Sequence, residues 1–218
     1  MISEYINPHQ SLGDFYLSAC EKPTIELLNP ASGEALTEGE RSINLTTIVE
    51  YAAEFVSSIE VPIKPKFSRQ YIENYHIISR TILNRDIPQN EHFNQAVLHV
   101  KKMVTLLRGS AEEPYERIGV LLSDYEKSYG KGENPNQDSS EARDLLEIAF
   151  SIAWGAYRVS RGKTHRETVD IIEHSMLGAI KGGMISNFKG ILGGAISHGL
   201  IAKFFDTRET GLIFPNRV

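Results

Sequence analysis

The sequence predicts an all-α fold: a multi-helix bundle of about seven helices, with a short N-terminal β-hairpin. From residue 44 onward, apolar residues recur three or four positions apart, which places them on one face of a helix. The residues between these stretches are rich in Ser, Thr, Asn, Pro and Gly, which are typical of helix caps and turns. A content of 41% hydrophobic and 23% charged residues in 218 residues is that of a globular chain. We therefore expect one helical domain spanning residues 1–218.

The N-terminal part of the chain predicts one helix and the hairpin. A run of apolar residues with a capping serine favours a short helix over Ser11–Cys20. Short strands are predicted at Thr24–Leu28 and Ala35–Thr37, because Asn29–Gly33 between them contains residues that favour a turn. A two-stranded hairpin is marginally stable by itself, so we expect it to lie as a flap on a helical body.

The remaining helices follow from the apolar spacing and from their caps. The periodic stretches are Leu45–Val56, Tyr71–Leu83, Phe93–Leu107, Tyr115–Tyr125, Leu145–Ala156 and Val169–Ile180, followed by a last helix over Ser186–Phe205. Thr164 and Glu167 form a capping box, and Gly162 ends the helix before it. The polar segment 130–139 is the clearest loop, and any boundary between two subregions is predicted there. The helices after this loop are the most apolar, so we expect them to form the hydrophobic centre.

The composition excludes several classes of protein and site. A formal net charge of −5 argues against binding of nucleic acid over the whole surface. A single cysteine excludes a disulfide framework and a zinc site built from cysteines. Glu73 and His76 have the E-x-x-H spacing of di-iron carboxylate bundles, but the second such pair is missing. We therefore expect neither a metal nor a cofactor.

The sequence predicts neither a membrane span nor a signal peptide. It contains no run of about 18 apolar residues, the length that indicates a transmembrane helix. The first residues, MISEYINPHQ, lack the basic region and the apolar region of a secretory signal. We therefore expect a soluble, cytoplasmic protein.

Small residues recur at every fourth position in the C-terminal part of the chain. Gly178, Gly182, Ser186, Gly190 and Gly194 would form a stripe along one continuous helix. Such a stripe allows a second backbone to approach closely, which larger side chains prevent. Because each glycine in a helix interior costs about 0.5–1 kcal/mol relative to alanine, we expect close packing to offset this cost.

Three interpretations of the stripe remain open. In the first, Gly182 and Gly183 form a turn between two helices, and the other glycines fit a crowded core. In the second, Gly190 and Gly194 bind another copy of the chain or a partner protein, which would make the protein a homo-oligomer or a helical interaction protein. In the third, residues 178–205 contact a membrane, since their apolar residues and three lysines suit an interfacial amphipathic helix.

A group of basic residues precedes the stripe. Arg158 is followed by six residues and then by His165, an arrangement that resembles the R-x4–6-H signature of the all-helical HEPN-type ribonucleases. The resemblance covers eight residues, and Val159 stands where that family usually has a polar residue. It implies that His165 acts as acid or base on a phosphodiester while Arg158 steadies the phosphate. Residues 158–205 carry a formal charge of +4 against −9 for the rest of the chain, which favours an anionic partner such as a nucleic acid at this end.

Two further groups of side chains are candidates for a site. Trp154 is predicted either to pack in the core or, with two tyrosines near Arg158, to line a pocket for a flat or anionic ligand. Arg161 is a further candidate binding residue. Asp170 and His174 lie four positions apart on one helix face, but most histidines in such positions are structural.

Three functions remain open at this point. The glycine stripe and the lack of a complete catalytic set favour a helical protein that self-associates or binds a partner through its C-terminal helices. An enzyme acting on a phosphodiester or nucleotide through Arg158 and His165 is the first alternative. A membrane-active effector or toxin is the second.

Overall fold

The computed structural model describes residues 7–21, 38–59, 91–109, 115–130, 140–185 and 188–204. These residues form seven helices: α1 (Gln10–Glu21), α2 (Glu38–Ser58), α3 (Glu91–Gly109), α4 (Tyr115–Gly130), α5 (Ser140–Val159), α6 (His165–Ile185) and α7 (Phe188–Phe204). The all-α prediction is confirmed for these ranges, which contain no strand. The predicted hairpin at Thr24–Thr37, the helix predicted over Tyr71–Leu83 and the loop at 131–139 lie outside the described residues.

Helices α5, α6 and α7 form the centre of the fold, as their apolar sequences predict. α6 packs against α7 along most of its length and against α5 on another side. α1 and α4 pack on α5, α2 packs on α7, and α3 packs on both α5 and α6. Apolar side chains from all seven helices contribute to one core cluster, in which the largest fully buried side chains include Tyr16, Phe150, Leu12, Met103, Leu107 and Ile118.

The glycine stripe forms an internal crossing between α6 and α7. Gly178 on α6 faces Gly194 on α7, and Gly182 faces Gly190, so the two helices run antiparallel with backbone against backbone. A Cβ atom on Gly178, Gly182 or Gly194 would lie under 3.0 Å from a carbonyl oxygen of the opposite helix, a separation that real Cβ atoms essentially never show. The predicted turn at Gly182 and Gly183 is wrong, because α6 continues through both residues to Ile185. The close approach itself is the one that the small-residue spacing predicts.

A second close crossing joins α1 to α5, and no sequence pattern predicted it. A Cβ atom on Gly155 would lie 2.5 Å from the carbonyl oxygen of Gly13, and a Cβ atom on Gly13 would meet the backbone of Ser151. The Ser151 hydroxyl accepts a hydrogen bond from the Gly13 amide at 2.9 Å and donates one to the His9 carbonyl oxygen at 2.7 Å. The Ser151 hydroxyl therefore contacts both a backbone donor and a backbone acceptor at the start of α1. This contact fixes the start of α1 against α5.

Replacement of Ser151 by alanine is expected to lower the free energy of unfolding by about 1–2 kcal/mol, because the backbone groups of Gly13 and His9 lose their hydrogen bonds with its hydroxyl. The control is Ser57→Ala on α2, where an exposed hydroxyl bonds only to the carbonyl oxygen of Ala53 in its own helix. We expect that control to change the free energy of unfolding by less than about 0.5 kcal/mol. Urea denaturation followed by circular dichroism measures both. Equal effects of the two substitutions would contradict the role given to Ser151.

The turn between α5 and α6 follows the predicted sequence signals. Gly162 has a φ of +86°, the left-handed conformation that glycine adopts without strain, and α5 ends just before it at Val159. At the start of α6, the Glu167 carboxylate accepts a hydrogen bond from the Thr164 amide at 2.8 Å. The Glu167 amide donates in return to the Thr164 hydroxyl at 3.2 Å, which completes the capping box. The hydrogen bonds from Thr164 also lower the pKa of Glu167.

Candidate functional site

A cleft of about 410 Å³ opens where the start of α1 meets α4 and α5. Its volume is in the range of small-molecule sites. Residues from three parts of the chain line it: Asn7, Gln10, Gly13 and Asp14 at α1; Ser123, Glu126 and Lys127 on α4; and Ser151, Trp154, Gly155 and Arg158 on α5. The cleft exists because Ser151 and Gly155 hold the start of α1 directly on the α5 backbone.

Glu126 is the buried charged group of this cleft, with only 8% of its surface exposed. One carboxylate oxygen accepts a hydrogen bond from Trp154 Nε1 at 2.8 Å, and the other accepts one from Asn7 Nδ2 at 2.6 Å. Asn7 Nδ2 also donates to the carbonyl oxygen of Glu147 at 2.8 Å, which orients the amide. Both donors to Glu126 are neutral, and within the described residues no lysine or arginine forms an ion pair with it. Buried carboxylates are usually paired with a cation, so this arrangement is suited to a ligand that brings one.

The mouth of the cleft carries positive charge. Arg158 Nη1 lies 2.9 Å from Asp14 Oδ1, and the two side chains are 46% and 61% exposed. An ion pair this exposed contributes roughly 0–1 kcal/mol, so a ligand can displace it at little cost. Lys127, next to Glu126 on α4, is also exposed and lines the cleft. The site thus combines an anion inside with two cations at its mouth.

The sequence of α4 contains a signal for the burial of Glu126, although Glu126 was not among the predicted site residues. Ile118 and Leu122 are buried and lie four positions apart, and Glu126 is the next residue in the same series. Residues at this spacing share one helix face, so a carboxylate here continues an apolar stripe into the interior. A charged residue on an apolar helix face indicates a buried polar site. On α5, Trp154 and Arg158 likewise share one face and both line the cleft, as the predicted pocket around Trp154 requires.

The predicted pair of Arg158 and His165 does not form one site. Arg158 is bound to Asp14 in the cleft, whereas His165 Nε2 lies 2.8 Å from the carbonyl oxygen of Leu107 at the end of α3. Since a carbonyl oxygen can only accept, Nε2 carries the proton and donates it. The other ring nitrogen, Nδ1, is buried and makes no hydrogen bond within the described residues. His165 therefore joins α6 to α3, and neither nitrogen faces solvent. Arg161 is exposed and does not line the cleft.

Gly190 and Gly194, predicted to bind another copy or a partner, contact Gly182 and Gly178 within the chain. The backbone surface that they offer is therefore occupied by α6, and self-association of the chain stays a prediction. The apolar side chains that favoured membrane contact by residues 178–205 include Ile191, Leu192, Leu200 and Ile201, which are all buried in the core. No helix within the described ranges combines the length and the apolar character that crossing a bilayer requires.

A cluster of basic side chains lies buried between α6 and α7. His174 and His198 have stacked rings with centroids 6.5 Å apart, and Lys181 belongs to the same buried set. Burial lowers the pKa of His174 to about 4 and that of Lys181 to about 8, and it lowers the pKa of His198 well below its usual value. Asp170, from the predicted pair with His174, forms an ion pair at 3.1 Å with Arg108 on α3.

No group of three or more metal-ligating side chains occurs in the described part of the chain. The pair Glu73 and His76, considered for a di-iron site, lies outside that part.

No protein family, curated protein or solved structure matches this chain.

Proposed function

We propose that this protein binds a small polar molecule in the cleft between α1, α4 and α5. The observation that carries the proposal is the Glu126 carboxylate, buried at the cleft and held by Trp154 and Asn7. Burial of an ionised group without a cation is unfavourable, so an otherwise purely structural position would be filled at lower cost by an apolar residue. A ligand that pairs with this carboxylate accounts for its presence there.

The surroundings of Glu126 support the same proposal. The cleft combines one aromatic wall, Trp154, with a few polar groups that converge from three helices, which is the usual make-up of small-molecule sites. Two of the helices that carry these groups, α1 and α5, are fixed by the backbone contact of Gly13 with Ser151 and Gly155. A site on such rigid elements holds its polar groups in place before a ligand arrives, which lowers the entropic cost of binding.

Trp154 provides a direct test, because it is the one tryptophan of the chain and lies in the cleft. Its indole N–H gives a single characteristic cross-peak in a ¹H–¹⁵N correlation spectrum, and the hydrogen bond to Glu126 makes that peak sensitive to the cleft. We expect members of a library of water-soluble metabolites to shift the indole peak and to change tryptophan fluorescence in a saturable way. Ser123→Phe, which places a ring in the cleft, is expected to weaken this binding by roughly tenfold or more.

The matched control is Val120→Phe, which adds a ring to the same helix at an exposed position that does not line the cleft. It should bind the same library members as the wild-type protein does. The proposal fails if no library member moves the indole peak at millimolar concentration. It also fails if Ser123→Phe binds as tightly as Val120→Phe.

A further inference from the structure

We infer that the ligand of this cleft is a small zwitterion, whose ammonium group pairs with Glu126 and whose carboxylate faces Lys127 and Arg158 at the mouth. The inference rests on the proposed function and names the chemical class that the same site would select. It depends on two features: the acceptor sites of Glu126 that no donor among the described residues fills, and the arrangement of charges along the cleft.

Glu126 retains the capacity to accept hydrogen bonds from an ammonium group. An ionised carboxylate has about four acceptor sites, and the N–H groups of Trp154 and Asn7 use one on each oxygen. An ammonium group has three N–H donors and a positive charge, so it fills acceptor sites that the described residues leave open and supplies the cation that they do not provide. A hydroxyl or an amide would supply a hydrogen bond but would leave the buried charge without a counter-charge.

Trp154 lies beside the same carboxylate and orients it. Its Nε1 donates to a Glu126 oxygen at 2.8 Å, so a group that binds this carboxylate lies near the edge of the indole and is reported by its N–H. Tyr157 packs edge-on against the indole with ring centroids 5.9 Å apart, which holds Trp154 in its orientation.

The mouth of the cleft favours a negative group at the other end of the ligand. Lys127 and Arg158 both line the cleft and are exposed, whereas Glu126 is buried. Asp14 offsets the charge of Arg158, but their exposed ion pair is weak and can open to admit a carboxylate. Arginine can bind a carboxylate with two parallel hydrogen bonds, whereas Asp14 contacts Arg158 through Nη1 only, so a ligand carboxylate can make a contact that Asp14 does not make. A simple amine would pair with Glu126 but would leave Lys127 and Arg158 without a ligand group.

Four probes of similar size distinguish the contact with Glu126 from the contact with Lys127 and Arg158. They are 4-aminobutyrate, n-butylamine, butyrate and n-butanol. We titrate each into the full-length protein and follow the Trp154 indole peak. The expected order of affinity is 4-aminobutyrate, then n-butylamine, then butyrate and butanol, with roughly a tenfold step from each rank to the next. Glu126→Gln keeps the size and removes the charge, although its amide can accept from only one of Trp154 and Asn7. It should therefore abolish the advantage of n-butylamine over butanol. Lys127→Gln should weaken 4-aminobutyrate while leaving n-butylamine unchanged.

The matched control is Glu116→Gln, an exposed position on the same helix outside the cleft, which should bind all four probes as the wild-type protein does. The inference is overturned if n-butylamine and butanol bind equally, or if butyrate binds most tightly. The four wild-type titrations decide this even if Glu126→Gln fails to fold. If these probes fail but other library members bind in a Ser123→Phe-sensitive way, the zwitterion inference is wrong and the ligand site stands. If nothing moves the indole peak, both proposals fail.

Discussion

Gly194→Ala is expected to lower the free energy of unfolding by about 3 kcal/mol, whereas Gly193→Ala, one position earlier on α7, is expected to raise it by roughly 0.5–1 kcal/mol. The two substitutions are chemically identical and both lie within α7, so they share the same gain in helix propensity. They differ in what the new methyl group meets. At Gly193 nothing lies within 4 Å of the added Cβ atom, while at Gly194 it collides with the backbone of Gly178.

The collision at Gly194 cannot be relieved by a side-chain movement. The nearest atoms are the carbonyl oxygen and carbon of Gly178, followed by the Gly182 Cα at 3.3 Å, and all of them belong to the α6 backbone. Relief requires that α6 and α7 move apart, which loosens the most extensive helix pair of the fold. Overpacking that displaces backbone typically costs 1–3 kcal/mol, and the central position of this pair argues for the upper end.

Chemical denaturation at two protein concentrations measures the free energy of unfolding of both variants. It also tests whether the glycine crossing lies within one chain or between two copies. For a crossing within the chain, the loss caused by Gly194→Ala is the same at low and high protein concentration. A contact between two copies would instead make the stability of the wild-type protein depend on concentration. If Gly194→Ala and Gly193→Ala prove equally stable, the backbone contact with Gly178 is contradicted.

The spacing of the glycines was visible in the sequence, but the way they pair was not. Small residues at every fourth position predict a stripe on one continuous helix. The same spacing in the sequence occurs when the chain reverses direction and forms two antiparallel helices. Because α6 ends at Ile185 and α7 begins at Phe188, the reversal places Gly178 opposite Gly194 and Gly182 opposite Gly190. The position of that reversal decides whether the stripe lies on the outer surface of the protein or between two of its own helices. The crossing of Gly13 with Gly155 joins residues distant in sequence, and no local pattern predicts it.

The candidate site was predicted in part for a similar reason. Trp154 and Arg158 lie one turn apart on α5, and both line the cleft. His165 is close in sequence, but the turn that contains Gly162 separates α5 from α6 and directs His165 toward α3. Two residues spaced one turn apart on the same helix were therefore found side by side, whereas two residues separated by the turn at Gly162 were not. Glu126 comes from a different helix, and only its place on an apolar face indicated that it was buried.

Acidification is expected to destabilise the protein by about 3 kcal/mol or more between pH 6.5 and pH 4, well above what surface groups produce. The main cause is the basic cluster between α6 and α7. Burial lowers the pKa of His174 to about 4, from an unfolded-state value of 6.5. The positive charges of Arg108 and Lys181 lower it further, while Asp170 opposes them. The pKa of His198 is lowered in the same direction, by burial and by Lys181 and His174.

The sign follows from where the protons bind. Between pH 6.5 and pH 4 the unfolded chain binds a proton at His174 and the folded chain does not, so acid favours unfolding. The stabilisation is complete above pH 6.5 and is lost as the pH falls to about 4. A shift of about 2.5 pKa units corresponds to roughly 3 kcal/mol, to which His198 adds in the same direction. Lys181, with its pKa lowered to about 8, is already charged throughout this window and does not contribute to the slope.

Two measurements test this dependence. Urea denaturation at several pH values between 7 and 4.5 gives the slope of stability before most carboxylates begin to titrate. His174→Phe, which fills the position with a ring that cannot be protonated, should make that slope clearly shallower. Proton NMR of the His174 ring in the native protein should show it still neutral at pH 5. Titration of His174 near pH 6.5, or an unchanged slope in His174→Phe, would show that the buried pair does not control the acid stability.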